Sequence, residues 1–262
     1  HLPHVLATDD PSDIGPVDIV LFTVKLYDTA SALPLLPPLL GPHTLVATFQ
    51  NGVESVAALT HALGPDRVVG GTAYITAVVS APGVIRHTAL HRLIFGRSDH
   101  TPAPLLEAFR EQCLAAGFEG VVSQHIERDV WTKFVRLSVF SGMTAVSRSP
   151  IGAVLADPAL ADMLDRALAE SMAVAARKGI VLDSRLPVQA REAFAGLPYD
   201  AKSSMLQDLL RGRRLELPWL SGAVARFGRE TGVDTPVHEF ITGVLSPHVQ
   251  GTGPQNLPNN RT

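Results

Sequence analysis

The chain has 262 residues, 46% of them hydrophobic, enough to bury a large core in one or two domains. Its formal net charge of −3 gives no general attraction to nucleic acid or to an anionic membrane, so a small acidic ligand would be met by a few local cations. A single cysteine, Cys113, excludes an internal disulfide framework and a cysteine-rich metal site, fits a reducing cytoplasm, and reads as a small apolar residue in a helix.

"VDIVLFTVK" (Val17 to Lys25) is a near-continuous apolar run rich in β-branched residues, as in central strands of a parallel sheet covered on both faces. A helical stretch follows, and the prolines of "ALPLLPPLLG" predict that it is broken or late-starting. "TLVATFQNG" (Thr44 to Gly52) reads as a second strand ending in a turn, and "VESVAALTHALG" as a helix stopped by Gly64. "RVVGGTAYITAVV" and "GVIRHTALHRLIFG" read as two strands about the turn "SAPG", with an antiparallel edge expected there. "APLLEAFREQCLAAG" is again helical.

Near Gln124 the pattern changes to helices alone, with candidates at 126–147, 157–178, 187–195, 202–211, 216–232 and 236–245. The expected architecture is an α/β Rossmann-like domain over 1–124, followed by an all-α domain over 125–250. The polar tail over 251–262 is expected to be disordered. No apolar run approaches the roughly 18 residues of a membrane span, no signal peptide is visible, and the first residue is His1. No H-x-x-H or H-E-x-x-H pair occurs among the histidines, so no metal site is expected.

Two such domains imply a cleft at their junction, and ligands of open α/β sheets bind beyond the carboxyl ends of the strands. Lys25 and Asn51 sit at two such ends. Each has a plain alternative, a solvated strand end and an Asn-Gly turn, and spacing does not choose between the readings. "DVWTKFVRLSVFSGMTAV" (Asp129 to Val146) is a helix apolar almost all round, hence buried. Lys133 lies within about 60° of Val130, Leu137, Phe140 and Thr144 on it. Either its ammonium snorkels to water, or it is a cation at the wall of a cleft with a pKa altered by desolvation. Glu216, between Leu215 and Leu217, lies twelve residues after Ser204 and is read as opening another apolar helix. Favouring that helix's dipole would explain an acid there, but not so apolar a neighbourhood. Ser203 or Ser204 caps the helix before it.

Taken in order, these segments resemble the 2-dehydropantoate 2-reductase, or ketopantoate reductase, family over nearly the whole chain. "DIVLFTVKLYDT" resembles its strand ending in lysine, "QNGVES" its Asn-Gly turn and "GVIRHT" its hairpin. "WTKFVRLSVFSGMTAV" resembles the helix of its catalytic lysine, and "SSMLQDLLRGRRLE" its Ser-Met-x-x-Asp segment and essential glutamate. The resemblance implies an NADP-dependent oxidoreductase reducing 2-dehydropantoate to pantoate in pantothenate and coenzyme A biosynthesis. The apolar C-terminal half and the incomplete sheet predict a homodimer with the helical domain in its interface, and the single cysteine fits a cytoplasmic location. The resemblance also implies Lys133 as general acid or oxyanion partner and Glu216 as anchor of the substrate hydroxyl. Asn51 would lie by substrate and nicotinamide ribose, Ser204 by the substrate carboxylate, and Lys25 by the NADPH cofactor.

Two departures stand out. Where the family has asparagines four and eight residues after the lysine, this chain has Leu137 and Ser141, of which only Ser141 can hydrogen-bond substrate. The family also begins with a βαβ unit carrying a glycine-rich loop, and no G-x-G-x-x-G stands here. By that comparison roughly 50 residues are absent, leaving an apolar strand edge at "DIVLFTVK" to be covered by more chain or by a dimer partner. The alternatives are a catalytically silent dimeric ligand-binding homologue, or a β-hydroxyacid dehydrogenase-like enzyme, which shares the two-domain plan but fits "SSMLQD" and its glutamate less well.

Overall fold

In the computed structural model, which describes residues 5–99 and 101–251, the chain divides into two compact units, one ending at Val130 and the other starting at Trp131. The first is built on a five-stranded sheet. Its strands are β1 (Val17–Phe22), β2 (Leu40–Thr48), β3 (Val68–Ala81), β4 (Val84–Gly96) and β5 (Glu119–Val122), adjacent in that order. β1, β2 and β3 pair in parallel. The prolines at 34, 37 and 38 limit the β1–β2 connection to a one-turn helix α1 (Thr29–Ala32) and 3-10 turns. Helix α2 (Ser55–Leu63) makes the next crossover and ends at Gly64, whose φ of 84° lies in the left-handed region.

Period-two alternation divides the core between the two faces of the sheet. Leu45, Ala47, Val69 and Phe95 meet Leu106 and Cys113 of α3 (Pro104–Ala115) on one side. Phe22, Val46 and Val68 meet Leu36 and Leu59 on the other. Cys113 is therefore a packing residue.

β1 is a lateral edge among the described residues, in keeping with the apolar edge expected at "DIVLFTVK"; Ile19 packs on one face of the sheet and Val20 and Phe22 on the other, while only Phe22 in it is buried and Leu21 is 49% exposed. The far side of the sheet departs from the sequence expectation. The antiparallel pair β3–β4 lies inside the sheet, and the edge beyond it is β5, parallel to β4. β5 is only four residues, "EGVV", too short to show an alternation of its own.

The second unit is helical. Helix α4 (Ile126–Ser147) leads into it, followed by α5 (Ile151–Ala156), α6 (Pro158–Arg177), α7 (Leu186–Ala195), α8 (Ser204–Leu210), α9 (Ser221–Thr231) and α10 (Pro236–Leu245). α5 was not anticipated; at six residues it has too little length for a helical period. Trp131, Phe134, Val135 and Val139 of α4 are buried, as their spacing implies. α6, α9 and α10 pack on one another, with Leu164, Leu168, Val224 and Ile241 in their core. The Glu170 carboxylate accepts from the Val237 and His238 N–H groups at 3.0 and 3.1 Å, satisfying two donors at the start of α10. No helix among the described residues is long and apolar enough to cross a membrane. The expected disordered tail, beyond Gly251, falls outside the described residues.

Candidate active site

In the first unit, the carboxyl ends of β1 and β2 carry the polar residues of interest. Lys25 follows β1 by three residues and is exposed; Asn51 follows β2 by three and is half-buried. Gly52 turns the chain there with φ 79°. Between them lies a residue that sequence reading passed over. The Gln50 amide Nε2 donates to the Val24 carbonyl at 2.8 Å and to Thr29 Oγ1 at 2.9 Å. Its Oε1 accepts from Thr48 Oγ1 at 3.2 Å. This buried amide bonds the loop bearing Lys25 to the turn bearing Asn51, so the two are held by one cross-brace. A polar side chain ending an otherwise apolar strand is the signal that could have identified it.

In the second unit, Lys133 belongs to the first turns of a helix whose flanking residues, Trp131, Phe134 and Val135, are buried. Burial pushes its ammonium down to about 8, while attraction to the Glu216 carboxylate opposes part of that fall. Lys133 and Glu216 thus act on one another within a single unit, eighty-three positions apart in sequence. Glu216 is only 7% exposed, and its neighbours Leu215 and Leu217 are 0% and 1% exposed, so the glutamate is held by an apolar anchor on either side. The Leu215 N–H donates to the Val249 carbonyl at 2.9 Å, which ties the residue before Glu216 to the chain after α10.

Glu216 does not open a long helix. It precedes a 3-10 turn, Leu217–Trp219, and α9 begins only at Ser221 after a break at Leu220 (φ −112°, ψ −105°). Pro218 sits in the first turn of that 3-10 segment, where its missing N–H costs nothing, and the segment stops short of a continuous helix. The start of α9 meets α4 closely. A Cβ at Gly142 would stand 2.6 Å from Ser221 Oγ, so only glycine lets these helices approach. Ser221 Oγ also donates to the Ser138 carbonyl at 3.4 Å.

Ser141, eight residues beyond Lys133, is fully buried, and its hydroxyl has no hydrogen-bond partner among the described residues. Leu137, between them, is half-buried. Of the two serines weighed as a cap, Ser203 performs that role for α8: its Oγ accepts from the Leu206 N–H at 3.1 Å. Ser204 is exposed at the first position of α8. A lysine ammonium drawn down toward neutrality and a buried carboxylate acting on it are a pair suited to proton transfer at a carbonyl oxygen.

Comparison with known proteins decides the lineage. Residues 1–100 match the family described as ketopantoate reductase PanE/ApbA, and residues 125–249 match that family's C-terminal domain. The chain belongs to the ketopantoate reductase family. A 2-dehydropantoate 2-reductase of Mesorhizobium japonicum is 31% identical over 92% of this chain and 79% of its own length. A PanE/ApbA family ketopantoate reductase from Ralstonia eutropha superposes with a TM-score of 0.85 at 27% identity, over 93% of this chain and 80% of that one. The 2-dehydropantoate 2-reductase from Geobacter metallireducens superposes equally well, TM-score 0.85, at 26% identity over 94% and 82%. Membership makes the protein an oxidoreductase with the family's Rossmann-like unit followed by a helical one.

Proposed function

We propose that the protein is an NADPH-dependent reductase of a 2-oxo acid, with 2-dehydropantoate as the leading substrate and pantoate as its product, serving pantothenate and coenzyme A biosynthesis. The observation that carries this reading is a half-buried lysine, Lys133, set on an apolar helix and attracted by the buried Glu216 carboxylate in a chain of this family; desolvation brings its ammonium down to about 8. In the same reading the protein is a cytoplasmic homodimer, with the first unit taking the dinucleotide and the helical unit taking substrate and the dimer contact.

The residues present fit part of such a cofactor. A cation and an amide, Lys25 and Asn51, stand just beyond the carboxyl ends of adjacent parallel strands and are braced together by Gln50. They suit the hydroxyls and phosphate of a nucleotide, and Asn51 also suits the substrate. A reduced nicotinamide, when bound, supplies the hydride. As negative charge gathers on the ketone oxygen, the Lys133 ammonium stabilises it and gives up a proton to complete the alcohol; the neutral amine then regains a proton from water. Glu216 keeps the lysine protonated against its burial, and accepts a hydrogen bond from a substrate hydroxyl. Ser204 donates to the substrate carboxylate, and Ser141 offers a buried hydroxyl without a hydrogen-bond partner among the described residues.

Leu137 bears on which 2-oxo acid is taken. An apolar side chain four residues after the lysine lies on its face and pairs with no hydroxyl. Leu137→Asn should improve kcat/KM for 2-dehydropantoate relative to a 2-oxo acid lacking the hydroxyl by about tenfold, the worth of one added hydrogen bond. Steady-state NADPH oxidation with the two substrates measures the ratio. An unchanged ratio removes Leu137 from the specificity surface.

A further inference from the structure

Thr144 lies eleven residues after Lys133 on α4, about three helical turns along the same face. Its Oγ1 is 2.7 Å from the Phe140 carbonyl, 3.4 Å from the Ser141 carbonyl and 2.7 Å from Ser203 Oγ. Ser203 Oγ accepts from the Leu206 N–H at 3.1 Å. Thr144 and Ser203 are 0% and 1% exposed, so neither hydroxyl can turn to bulk water. One proton assignment satisfies every donor. Leu206 N–H donates to Ser203, Ser203 O–H donates to Thr144, and Thr144 O–H donates to the Phe140 carbonyl. Reversing the middle bond would leave the Ser203 proton with no acceptor among the described residues. The chain is therefore directional and tied at both ends to backbone.

The stretch before α8, from Leu197 to Ser203, is irregular, and α8 has only seven residues, too few to hold its own shape. Its placement comes from tertiary ties. The Tyr199 and Ala201 carbonyls accept from Gly152 and Ile151 at the start of α5, at 3.0 and 2.9 Å. The Thr144–Ser203 bond is the tie to the lysine helix itself. Ser204 is the next residue in the chain.

We propose that Thr144 and Ser203 form a positioning pair that sets Ser204 relative to Lys133, and so sets how the carboxylate end of a 2-oxo acid is held while its ketone meets the lysine. This rests on the reductase reading above. Neither residue touches the reacting atoms in this account; both act through Ser204. Loosening the pair should weaken substrate binding more than the chemical step, and should leave cofactor binding alone.

The test is steady-state kinetics of the full-length protein with NADPH and 2-dehydropantoate or a simpler 2-oxo acid, for four variants. Thr144→Val keeps the shape and removes the acceptor. It should raise KM for the oxo acid about tenfold, the worth of one hydrogen bond, with a much smaller change in kcat and none in KM for NADPH. Ser203→Gly removes the link while remaining an adequate helix cap, so the same KM rise is expected in a protein whose fold is little disturbed. Thr144→Ser, which keeps the hydroxyl, should recover most of the loss. Lys133→Ala separates the two readings. If it is inactive while Thr144→Val and Ser203→Gly retain the parental KM, the positioning pair is overturned and the reductase reading stands. If Lys133→Ala keeps parental turnover, the reading beneath both has failed. Parallel losses in kcat and both KM values, unrelieved by Thr144→Ser, would mark the pair as general scaffolding and also overturn the proposal.

Discussion

Lys133→Ala is expected to lower turnover by about 10²–10³, the cost of removing one preorganised donor from a developing oxyanion. The lysine lies on a helix whose neighbours Trp131, Phe134 and Val135 are buried, and the Glu216 carboxylate attracts its ammonium, so the donor is set by the fold before charge develops. Lys133→Gln keeps a hydrogen-bond donor but has no proton to give, and should also be impaired, with a smaller loss than alanine. Steady-state NADPH oxidation with a panel of 2-oxo acids measures both. Parental turnover by Lys133→Ala with every reducible substrate would mean that the lysine merely snorkels past its apolar neighbours.

The same burial that tunes the lysine should make it a drain on stability. Its ammonium is drawn from an ordinary 10.5 down to about 8, chiefly by desolvation. In the unfolded chain the proton is held up to 10.5. Between about 8 and 10.5 the unfolded state therefore binds more protons, and folding stability rises with pH. Below about 8 both states are protonated and the penalty is fully present. At about 1.4 kcal/mol per pH unit, the whole effect is about 3 kcal/mol. Lys133→Met removes this titration. The stability of the Met variant relative to the parent should be greatest below pH 8 and should fall by about 3 kcal/mol as pH approaches 10.5. Urea unfolding of both proteins over that pH range gives the difference. Curves that stay parallel would show that the lysine is solvated.

Much of this was readable in the sequence, for identifiable reasons. α4 is twenty-two residues long and apolar around most of its circumference, so its helicity, its burial and the oddity of Lys133 could all be read from spacing. Glu216 stood out because an acid flanked by two leucines has no packing reason to be there, and both leucines are indeed buried. What sequence spacing hides are ties between distant residues. Gln50 reads as the last residue of a strand, and only the fold brings its amide to Val24 and Thr29. Ser203 and Ser204 are indistinguishable as caps in the sequence; the fold separates them, with Ser203 Oγ accepting from the Leu206 N–H and bonded to Thr144, fifty-nine positions away. Pro218 stands two residues after Glu216, and the 3-10 turn and break at Leu220 found there in place of one continuous helix depend on local backbone choice that periodicity does not encode.

A proton held by Lys133 is central to the proposed reduction, and the pH dependence of kcat/KM for 2-oxo acid reduction by the full-length protein tests it most directly, since this ratio reports the groups of the free enzyme. A plateau is expected on the acid side of about 8 and a fall of about tenfold per pH unit above it, as the ammonium is lost, with the limb absent from the residual activity of Lys133→Gln. A rate that stays level as pH rises well beyond 8, or a limb that persists without the lysine, contradicts it.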